Sequence, residues 1–433
     1  MNFYSTNRKV EPVSLKDAVL NGLPADNGLY MPSEINTLSK NFIDCIENFS
    51  FPEISYQIAA TLLKDCIDLD LLKSIIYDAI NIEAPVVKLD DQIHTLELFH
   101  GPSLAFKDFG ARFMARLMSH FVKDENRDLH ILVATSGDTG GAVAMGFYNT
   151  PNVKVTILYP KGKVSPLQEL QLTTLGANIT ALEVDGVFDD CQHLVKQAFL
   201  DEELRKRLLI SSANSINISR LIPQIFYYFE AYKQVLHYNK PVVMSVPSGN
   251  FGNLTAGLIG KKMGLPIQQF IAAVNDNDTF YQYLQEGTYL SKPSIQTLST
   301  AMDVGNPSNL ARINELHQSK LELIKENIST FTYSNEATEQ AIIEIKNKYN
   351  YTADPHGAVG YLGLLDYFKE NTNCVGIFHE TAHPSKFIDI VAPLINEKIE
   401  IPERLKILED RAKLAQPMST EYSDFKVYLE SLI

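Results

Sequence analysis

One lysine stands in a setting suited to covalent chemistry. Lys107 follows the Gly-Pro pair of GPSLAFKDFG and begins an amphipathic stretch in which Phe109, Phe113 and Leu117 recur every four residues. Burial beside apolar neighbours and the positive end of a helix dipole would both disfavour a charged amine there. The neutral amine is the nucleophilic form of lysine. The alternative is a surface lysine whose stem lies along apolar residues.

A second segment, SGNFGN, could hold a phosphate. It lies between the apolar stretch PVVMSVP and a predicted helix, and its glycines are Gly249 and Gly252. Glycines let backbone N–H groups converge on an anion, and the helix that follows adds its positive end. A turn that uses glycine only for strand-to-helix geometry is the alternative. An amine nucleophile and a phosphate-binding turn together could hold pyridoxal phosphate as a Schiff base.

The segment SGDTGG again follows a strand and opens a helix. Its hydroxyls, Ser136 and Thr139, could hold an anionic group together with backbone donors. The carboxylate of Asp138 could face a phenolic oxygen or an ammonium group. Helix capping is the alternative, because serine, aspartate and threonine are all favoured at that position.

A donor-rich cluster lies in SANSINISRLIPQ. It contains Asn214, Ser215 and Arg220. The planar guanidinium of arginine suits two-point binding of a phosphate. A lone arginine in a surface salt bridge is the alternative.

The segment TAHPSKF follows an apolar stretch near the C-terminus. Thr381 could donate or accept a hydrogen bond at a ring nitrogen without forcing that nitrogen to be protonated. We interpret His383 and Lys386 as local structural or surface groups rather than catalysts.

Bulk properties narrow the class of protein. The chain has 433 residues, 45% hydrophobic and 21% charged, which fits a globular protein of roughly two or three domains. A net charge of −14 argues against a nucleic-acid surface. Four cysteines without a CxxC pair indicate reduced thiols and no zinc site. We therefore expect a cytoplasmic protein without a signal sequence, a membrane span or a bound metal.

The elements that must position these residues alternate along the chain. Residues 1–90 have mostly helical patterns, and from about residue 95 short apolar strands are followed by glycine turns and helices. This alternation predicts a mainly parallel α/β sheet. Ligands of such sheets bind outside the carboxyl ends of the strands, where the turns lie.

In this order, GPSLAFKDFG, SGDTGGA and SGNFGN resemble the corresponding segments of the threonine synthases, a family of fold-type II pyridoxal-phosphate enzymes. The resemblance runs over nearly the whole chain, from VSLKDAVLNGLPADNGLYMP to ETAHPSKF. It implies an α/β fold with two open, mainly parallel twisted sheets flanked by helices, as in the tryptophan synthase β subunit, and a mostly helical N-terminal region.

The resemblance also implies residue roles. Lys107 would be the catalytic lysine that carries pyridoxal 5′-phosphate and later moves protons. The cofactor-binding residues would be Lys107, Asp138, Gly249, Asn250, Phe251, Gly252, Asn253 and Thr381. The substrate-binding residues would be Ser136, Thr139, Asn214, Ser215 and Arg220.

The expected domain organisation follows from the same resemblance. Residues 1–92 would form an N-terminal region packed on a large cofactor-binding domain. Residues 93–107 and 206–433 would form that large domain, and residues 108–205 a small, mobile α/β domain.

The activity that the resemblance implies is conversion of O-phospho-L-homoserine and water to L-threonine and phosphate, by γ-elimination and β-addition of water. This is the last step of threonine biosynthesis and makes the chain a carbon–oxygen lyase acting on phosphates. A phospho-lyase acting on O-phosphohomoserine or O-phosphothreonine needs the same lysine and phosphate donors and stays open. An inactive scaffold is disfavoured, because Lys107, both glycine loops and Arg220 occur together. We expect a small-molecule substrate, no nucleic-acid or membrane partner, and a monomer or homodimer.

Overall fold

Two separate, mainly parallel sheets dominate the computed structural model, which describes residues 1–123, 125, 127–135 and 137–433. The strands are β1 (Phe3–Ser5), β2 (Tyr30–Pro32), β3 (Val86–Lys88), β4 (Ile93–Glu97), β5 (Leu129–Ala134), β6 (Val153–Pro160), β7 (Ile179–Val184), β8 (Leu209–Ser212), β9 (Val242–Pro247), β10 (Ile267–Val274), β11 (Ile328–Thr332), β12 (Val375–Glu380) and β13 (Ala415–Met418).

Helices pack around these sheets. They are α1 (Leu15–Asn21), α2 (Lys40–Asp44), α3 (Phe51–Leu62), α4 (Leu69–Ala79), α5 (Lys107–Val122), α6 (Asp138–Phe147), α7 (Pro166–Thr173), α8 (Phe188–Leu200), α9 (Glu202–Arg207), α10 (Ile218–Leu221), α11 (Gln224–Val235), α12 (Gly252–Lys262), α13 (Thr279–Glu286), α14 (Leu310–Leu316), α15 (Leu321–Asn327), α16 (Asn335–Tyr349), α17 (Pro355–Phe368), α18 (Ile388–Ile395), α19 (Glu403–Glu409) and α20 (Tyr422–Glu430). A short 3-10 helix, Pro384–Phe387, follows β12.

The larger sheet has the strand order β11-β10-β9-β12-β4-β3. Its neighbouring strands are parallel except for β3, which runs antiparallel to β4. Strands β9 and β12 are buried along their whole length, as expected for a parallel sheet covered by helices on both faces.

The smaller sheet has the order β13-β7-β6-β5-β8, and all its neighbouring strands are parallel. Helices α6, α7 and α8 connect its central strands, so each connection is a strand–helix–strand unit. The prediction of an α/β fold with two mainly parallel sheets and a helical N-terminal region is therefore confirmed, with α1–α4 preceding the first long sheet strand.

Helix α5 packs against α4, α6 and α10, and most of its residues are buried. Phe109, Phe113 and Leu117 are fully inaccessible to solvent, which confirms the apolar face that the four-residue spacing predicts. Burial of each such side chain contributes about 1.5–3 kcal/mol relative to an exposed position. Within the described ranges, no helix has the length and apolar content needed to cross a membrane.

Two strands of the smaller sheet lie outside the segment 108–205 that the sequence assigns to the small domain. Strand β8 (Leu209–Ser212) pairs with β5, and β13 (Ala415–Met418) pairs with β7. The smaller sheet is thus completed by chain from beyond the predicted boundary at residue 205 and from near the C-terminus. The domain limits themselves stay a prediction.

Candidate active site

The predicted functional segments all follow the carboxyl ends of sheet strands. In the larger sheet, β9, β12 and β4 are neighbours, and they lead into the turn at 248–252, the segment at 381–387 and the loop before Lys107. In the smaller sheet, β5 and β8 are neighbours. They lead into SGDTGG and SANS, respectively. This is the edge of a parallel sheet at which ligands bind.

Lys107 is the first residue of α5, and its side chain is only 16% exposed. The backbone just before it is joined to the end of β12, because the N–H of Phe106 donates to the carbonyl of Thr381 at 2.9 Å. Burial, against the opposing charge of Asp138 and with the added effect of the positive charges of Lys386 and Arg220, lowers the pKa of the Lys107 amine to about 8. A substantial fraction of the amine is therefore neutral near physiological pH.

This pKa gives a testable pH dependence. The neutral amine forms above the pKa, so reaction of the cofactor-free chain with pyridoxal phosphate should slow as the pH falls below about 8. The rate of appearance of the bound chromophore, measured from pH 6 to pH 10, checks this (about two pH units on either side of the midpoint). A midpoint near that of an ordinary lysine, about 10.4, would contradict the described environment.

Asp138 begins α6 and is held by two donors. Its Oδ1 accepts from Lys386 Nζ at 2.6 Å and from Gln168 Nε2 at 2.9 Å, and its Oδ2 lies 4.0 Å from Lys107 Nζ. Burial opposes ionisation, but the charges of Lys386 and Lys107 outweigh it and hold the pKa of Asp138 well below its usual range. Asp138 is thus a carboxylate between two lysines.

The loop that leads to Asp138 is organised by Thr135. Its Oγ1 accepts from the N–H groups of Gly137 and Gly140 at 3.0 and 2.9 Å. Thr139 is half-buried in the first turn of α6. Ser136, predicted to bind substrate, lies outside the described residues.

Arg220 is buried on α10 directly against α5. A Cβ atom at Gly110 would lie 2.7 Å from Arg220 Nε, so this glycine is what lets the guanidinium approach the helix that begins with Lys107. One nitrogen, Nη1, donates to the carbonyl of Ala213 at 2.6 Å. Burial lowers the pKa of Arg220 to about 10, and the group stays a cation at neutral pH.

The turn at 249–252 approaches other backbone closely. A Cβ atom at Gly249 would lie 2.6 Å from the Cα of Met302, and Phe251 adopts a left-handed conformation with φ 58°. Helix α12 begins at Gly252. Its first N–H groups have no partner within the helix. They can donate hydrogen bonds to a phosphate, which the positive end of the helix dipole also attracts.

We expect Gly249→Ala to weaken pyridoxal phosphate binding by about 10- to 100-fold. The added methyl group would collide with the backbone of Met302, and overpacking costs about 1–3 kcal/mol. Fluorescence titration of the cofactor-free protein measures the change. Gly260→Ala in the helix that follows the turn, α12, is the control, because its Cβ would meet only side chains at 3.3 Å or more. Equal affinity of the Gly249 variant and wild type would contradict the prediction.

Asn250 connects the turn to the predicted substrate cluster. Its Nδ2 donates to Ser215 Oγ at 2.6 Å, and its Oδ1 accepts from the N–H of Ser308. Asn253 points the other way: its Oδ1 accepts from Tyr227 and Tyr228 in the core. The Asn253 side chain therefore anchors α12, which leaves its backbone N–H as the group available to a phosphate.

Several buried polar atoms have no hydrogen-bond partner among the described residues. They include Ser103 Oγ, Asp108 Oδ1, Gln171 Oε1, Asn214 Oδ1 and Arg220 Nε. Buried polar atoms are almost always paired, so water or a polar ligand with both donors and acceptors would supply the missing partners of this group. The close turn at Gly249, the start of α12 and the buried amine of Lys107 make the site compatible with pyridoxal phosphate.

The site contains two buried charged residues that the sequence interpretation did not assign to it. Lys386, interpreted as a structural or surface group, is 3% exposed and bonded to Asp138. Asp108 accepts from the N–H of Ser103 at 2.8 Å, and burial raises its pKa to about 6. Its position next to Lys107 in FKDF was the only available indication, whereas nothing local marked Lys386.

Comparison with known families agrees with this geometry. The model of the family described as "Pyridoxal-phosphate dependent enzyme" matches residues 84–379, and that described as "Threonine synthase N terminus" matches residues 2–80. The two matches together span the helical N-terminal region and the site segments up to residue 379, and the segment 381–387 lies beyond them.

Individual relatives are similar over their whole length. The chain is 44% identical to threonine synthase of Escherichia coli (strain K12) over 424 residues, which is 98% of each chain. The crystal structure of threonine synthase from Escherichia coli superposes with a TM-score of 0.92 at 43% identity, covering 100% of both chains. A structure of threonine synthase from Brucella melitensis with bound PLP superposes with a TM-score of 0.93 at 32% identity, covering 100% of this chain and 99% of that one.

Proposed function

Because the chain belongs to the threonine synthase family of pyridoxal-phosphate-dependent enzymes, we propose that it converts O-phospho-L-homoserine and water to L-threonine and phosphate. Pyridoxal 5′-phosphate is its cofactor, and its substrate is a small molecule. The observation that supports the specific substrate is the buried Lys107 amine together with the Arg220 guanidinium, which packs against Gly110 three residues further along α5. A lysine amine that carries the cofactor, next to an arginine that could bind a phosphate, suits a substrate that is a phosphorylated amino acid.

Besides Lys107, the proposed cofactor contacts use main-chain N–H groups, one hydroxyl and one carboxylate. When bound, pyridoxal phosphate supplies an electron sink for the carbanion formed next to the substrate amine. The N–H groups of 249–253 and the start of α12 would bind its phosphate. Thr381, buried beside the backbone of Phe106, would offer a hydroxyl to the ring nitrogen, and Asp138 would lie on the side of the ring oxygen.

Lys107 would move protons in the reaction. Its pKa of about 8 lets the same amine accept a proton from Cα of the substrate and return one to Cγ, because a general acid–base works best near the operating pH. Burial of the amine keeps bulk water from exchanging those protons.

The leaving phosphate would be held by the cluster around Arg220. Its guanidinium is a buried cation, and Ser215 and Asn214 belong to the adjacent loop, in which Ser215 contacts Asn250. Cationic donors already in position stabilise the charge that develops on a departing phosphate. We propose Ser136 and Thr139 as further substrate contacts from the smaller sheet.

The experiment that tests the function is incubation with O-phospho-L-homoserine and simultaneous assay of threonine, phosphate and 2-oxo acids. Threonine and phosphate in equal amounts are the expected products. Phosphate with a 2-oxo acid and no threonine would replace the proposal by a phospho-lyase. The same assay with O-phosphothreonine should release no phosphate.

We further propose that the protein works in the cytoplasm. Cys45, Cys66, Cys191 and Cys374 are free thiols, which is typical of a reducing compartment. We propose a monomer or a homodimer as its functional state.

A further inference from the structure

Lys386 joins the two sheets at the site. It lies in the 3-10 helix Pro384–Phe387 that follows β12 of the larger sheet, whereas Asp138 follows β5 of the smaller sheet. The Lys386 side chain is fully buried, and its Nζ lies 2.6 Å from Asp138 Oδ1 and 3.0 Å from the carbonyl oxygen of Ser103.

Burying a lysine side chain between two sheets costs free energy. Removing the ammonium from water costs several kcal/mol, and a well-packed apolar residue often serves stability as well or better. Contact between the sheets alone therefore does not account for a cation at this position. We therefore look for the role of the charge in the effect of Lys386 on neighbouring residues.

Lys386 determines which way the Asp138 carboxylate is bonded. Oδ1 of Asp138 is taken by Lys386 at 2.6 Å and by Gln168 at 2.9 Å. The other oxygen lies 4.0 Å from Lys107 Nζ, which is beyond hydrogen-bond distance. The close partner of the carboxylate is thus Lys386, and Lys107 keeps only a longer-range attraction to it.

We propose that Lys386 is a positioning residue: by binding Asp138 it keeps that carboxylate from closing on Lys107 as a contact ion pair, and so leaves the Lys107 amine free to react with pyridoxal phosphate. The inference rests on the proposed function only in that Lys107 is the amine that carries the cofactor.

The charged groups around Lys107 define the expected sign. Asp138 on α6 and Asp354 before α17 favour its charged form, whereas Lys386 and Arg220 disfavour it. Loss of the Lys386 charge removes a repulsion and also releases Asp138 toward Lys107. Both changes raise the pKa of the Lys107 amine.

Lys386→Met tests the proposal in the full chain freed of cofactor. We expect the pH midpoint for reaction of Lys107 with pyridoxal phosphate, located by borohydride reduction and mass spectrometry of the Lys107 peptide, to rise by about one unit or more. Asp138→Asn should move the midpoint in the opposite direction. An unchanged midpoint in Lys386→Met, or a shift of both variants in the same direction, would overturn the proposal.

Two further variants distinguish loss of the Lys386 charge from a general disruption of the structure. Lys386→Arg keeps the cation and should restore the midpoint toward that of wild type. Lys233→Met removes a largely buried lysine that pairs with Glu230 on α11 at 2.6 Å and should leave the midpoint unchanged. If Lys386→Met does not fold, as judged by circular dichroism, Lys386→Gln replaces it, since the amide can still donate to the Ser103 carbonyl.

The midpoint is measured with pyridoxal phosphate and without substrate, so it is independent of threonine formation. If the wild type makes no threonine but the midpoints shift as expected, the proposed function fails and the role of Lys386 stands. If threonine forms but Lys386→Met leaves the midpoint unchanged, the role of Lys386 fails and the function stands.

Discussion

Replacement of Lys107 by alanine is expected to lower threonine formation at least about 1000-fold and to remove the covalent attachment of pyridoxal phosphate. The amine has two proposed tasks, bonding to the cofactor and moving protons at Cα and Cγ, and proton transfer alone accounts for about 100- to 10,000-fold in rate. Steady-state turnover with saturating cofactor measures the loss.

A matched control shows that the effect belongs to this amine. Lys163 is exposed on the loop after β6, and Lys163→Ala should retain the turnover and visible absorbance of wild type. Retention of more than a tenth of wild-type turnover by Lys107→Ala would contradict the assigned role.

Replacement of Arg220 by methionine is expected to lower kcat/KM for O-phospho-L-homoserine about 100-fold while leaving the cofactor bound. A hydrogen bond to a charged group is worth about 1.5–3 kcal/mol, and the side chain is 3% exposed, with water largely excluded from the pair it would form. Initial rates over a range of substrate concentrations, with cofactor absorbance recorded in parallel, measure both parts of the prediction.

Arg220→Lys serves as the comparison for this variant. It keeps a cation but loses the planar fork that binds two phosphate oxygens, so we expect a smaller loss than in Arg220→Met. Unchanged kcat/KM in both variants, or loss of cofactor from both, would show that Arg220 does not bind the substrate phosphate.

The elements that carry the site could be predicted because their patterns are local. The strand β9, the glycine turn after it and helix α12 form one continuous segment, and an apolar run followed by glycines and a helical pattern identifies all three. Helix α5 was predictable for the same reason, from the regular spacing of its phenylalanines.

Lys386 could not be predicted in this way, because its partner lies in another sheet. Nothing near SKF in the sequence distinguishes a lysine bonded to Asp138 from one on the surface, and only the packing of the two sheets brings the two side chains within 2.6 Å. The same limit applies to β13, a short strand with no strong alternation, which joins the smaller sheet through pairing with β7.

The side chain that packs against a glycine cannot be predicted from the sequence either. Gly110 is one of several glycines near helix starts, and its importance arises from Arg220, which lies on α10 and occupies the space of the missing side chain. Sequence patterns therefore identify which residues are candidates, whereas tertiary packing decides which of them share a site.

The central claim is that pyridoxal phosphate is bonded to Lys107 with its phosphate in the turn at 249–253. Borohydride reduction of the purified, cofactor-loaded chain followed by peptide mass spectrometry tests the claim most directly. We predict the cofactor mass on the peptide that contains Lys107 and on no other lysine peptide. A label on Lys386 or another lysine, or no label on a chain that makes threonine, would contradict it.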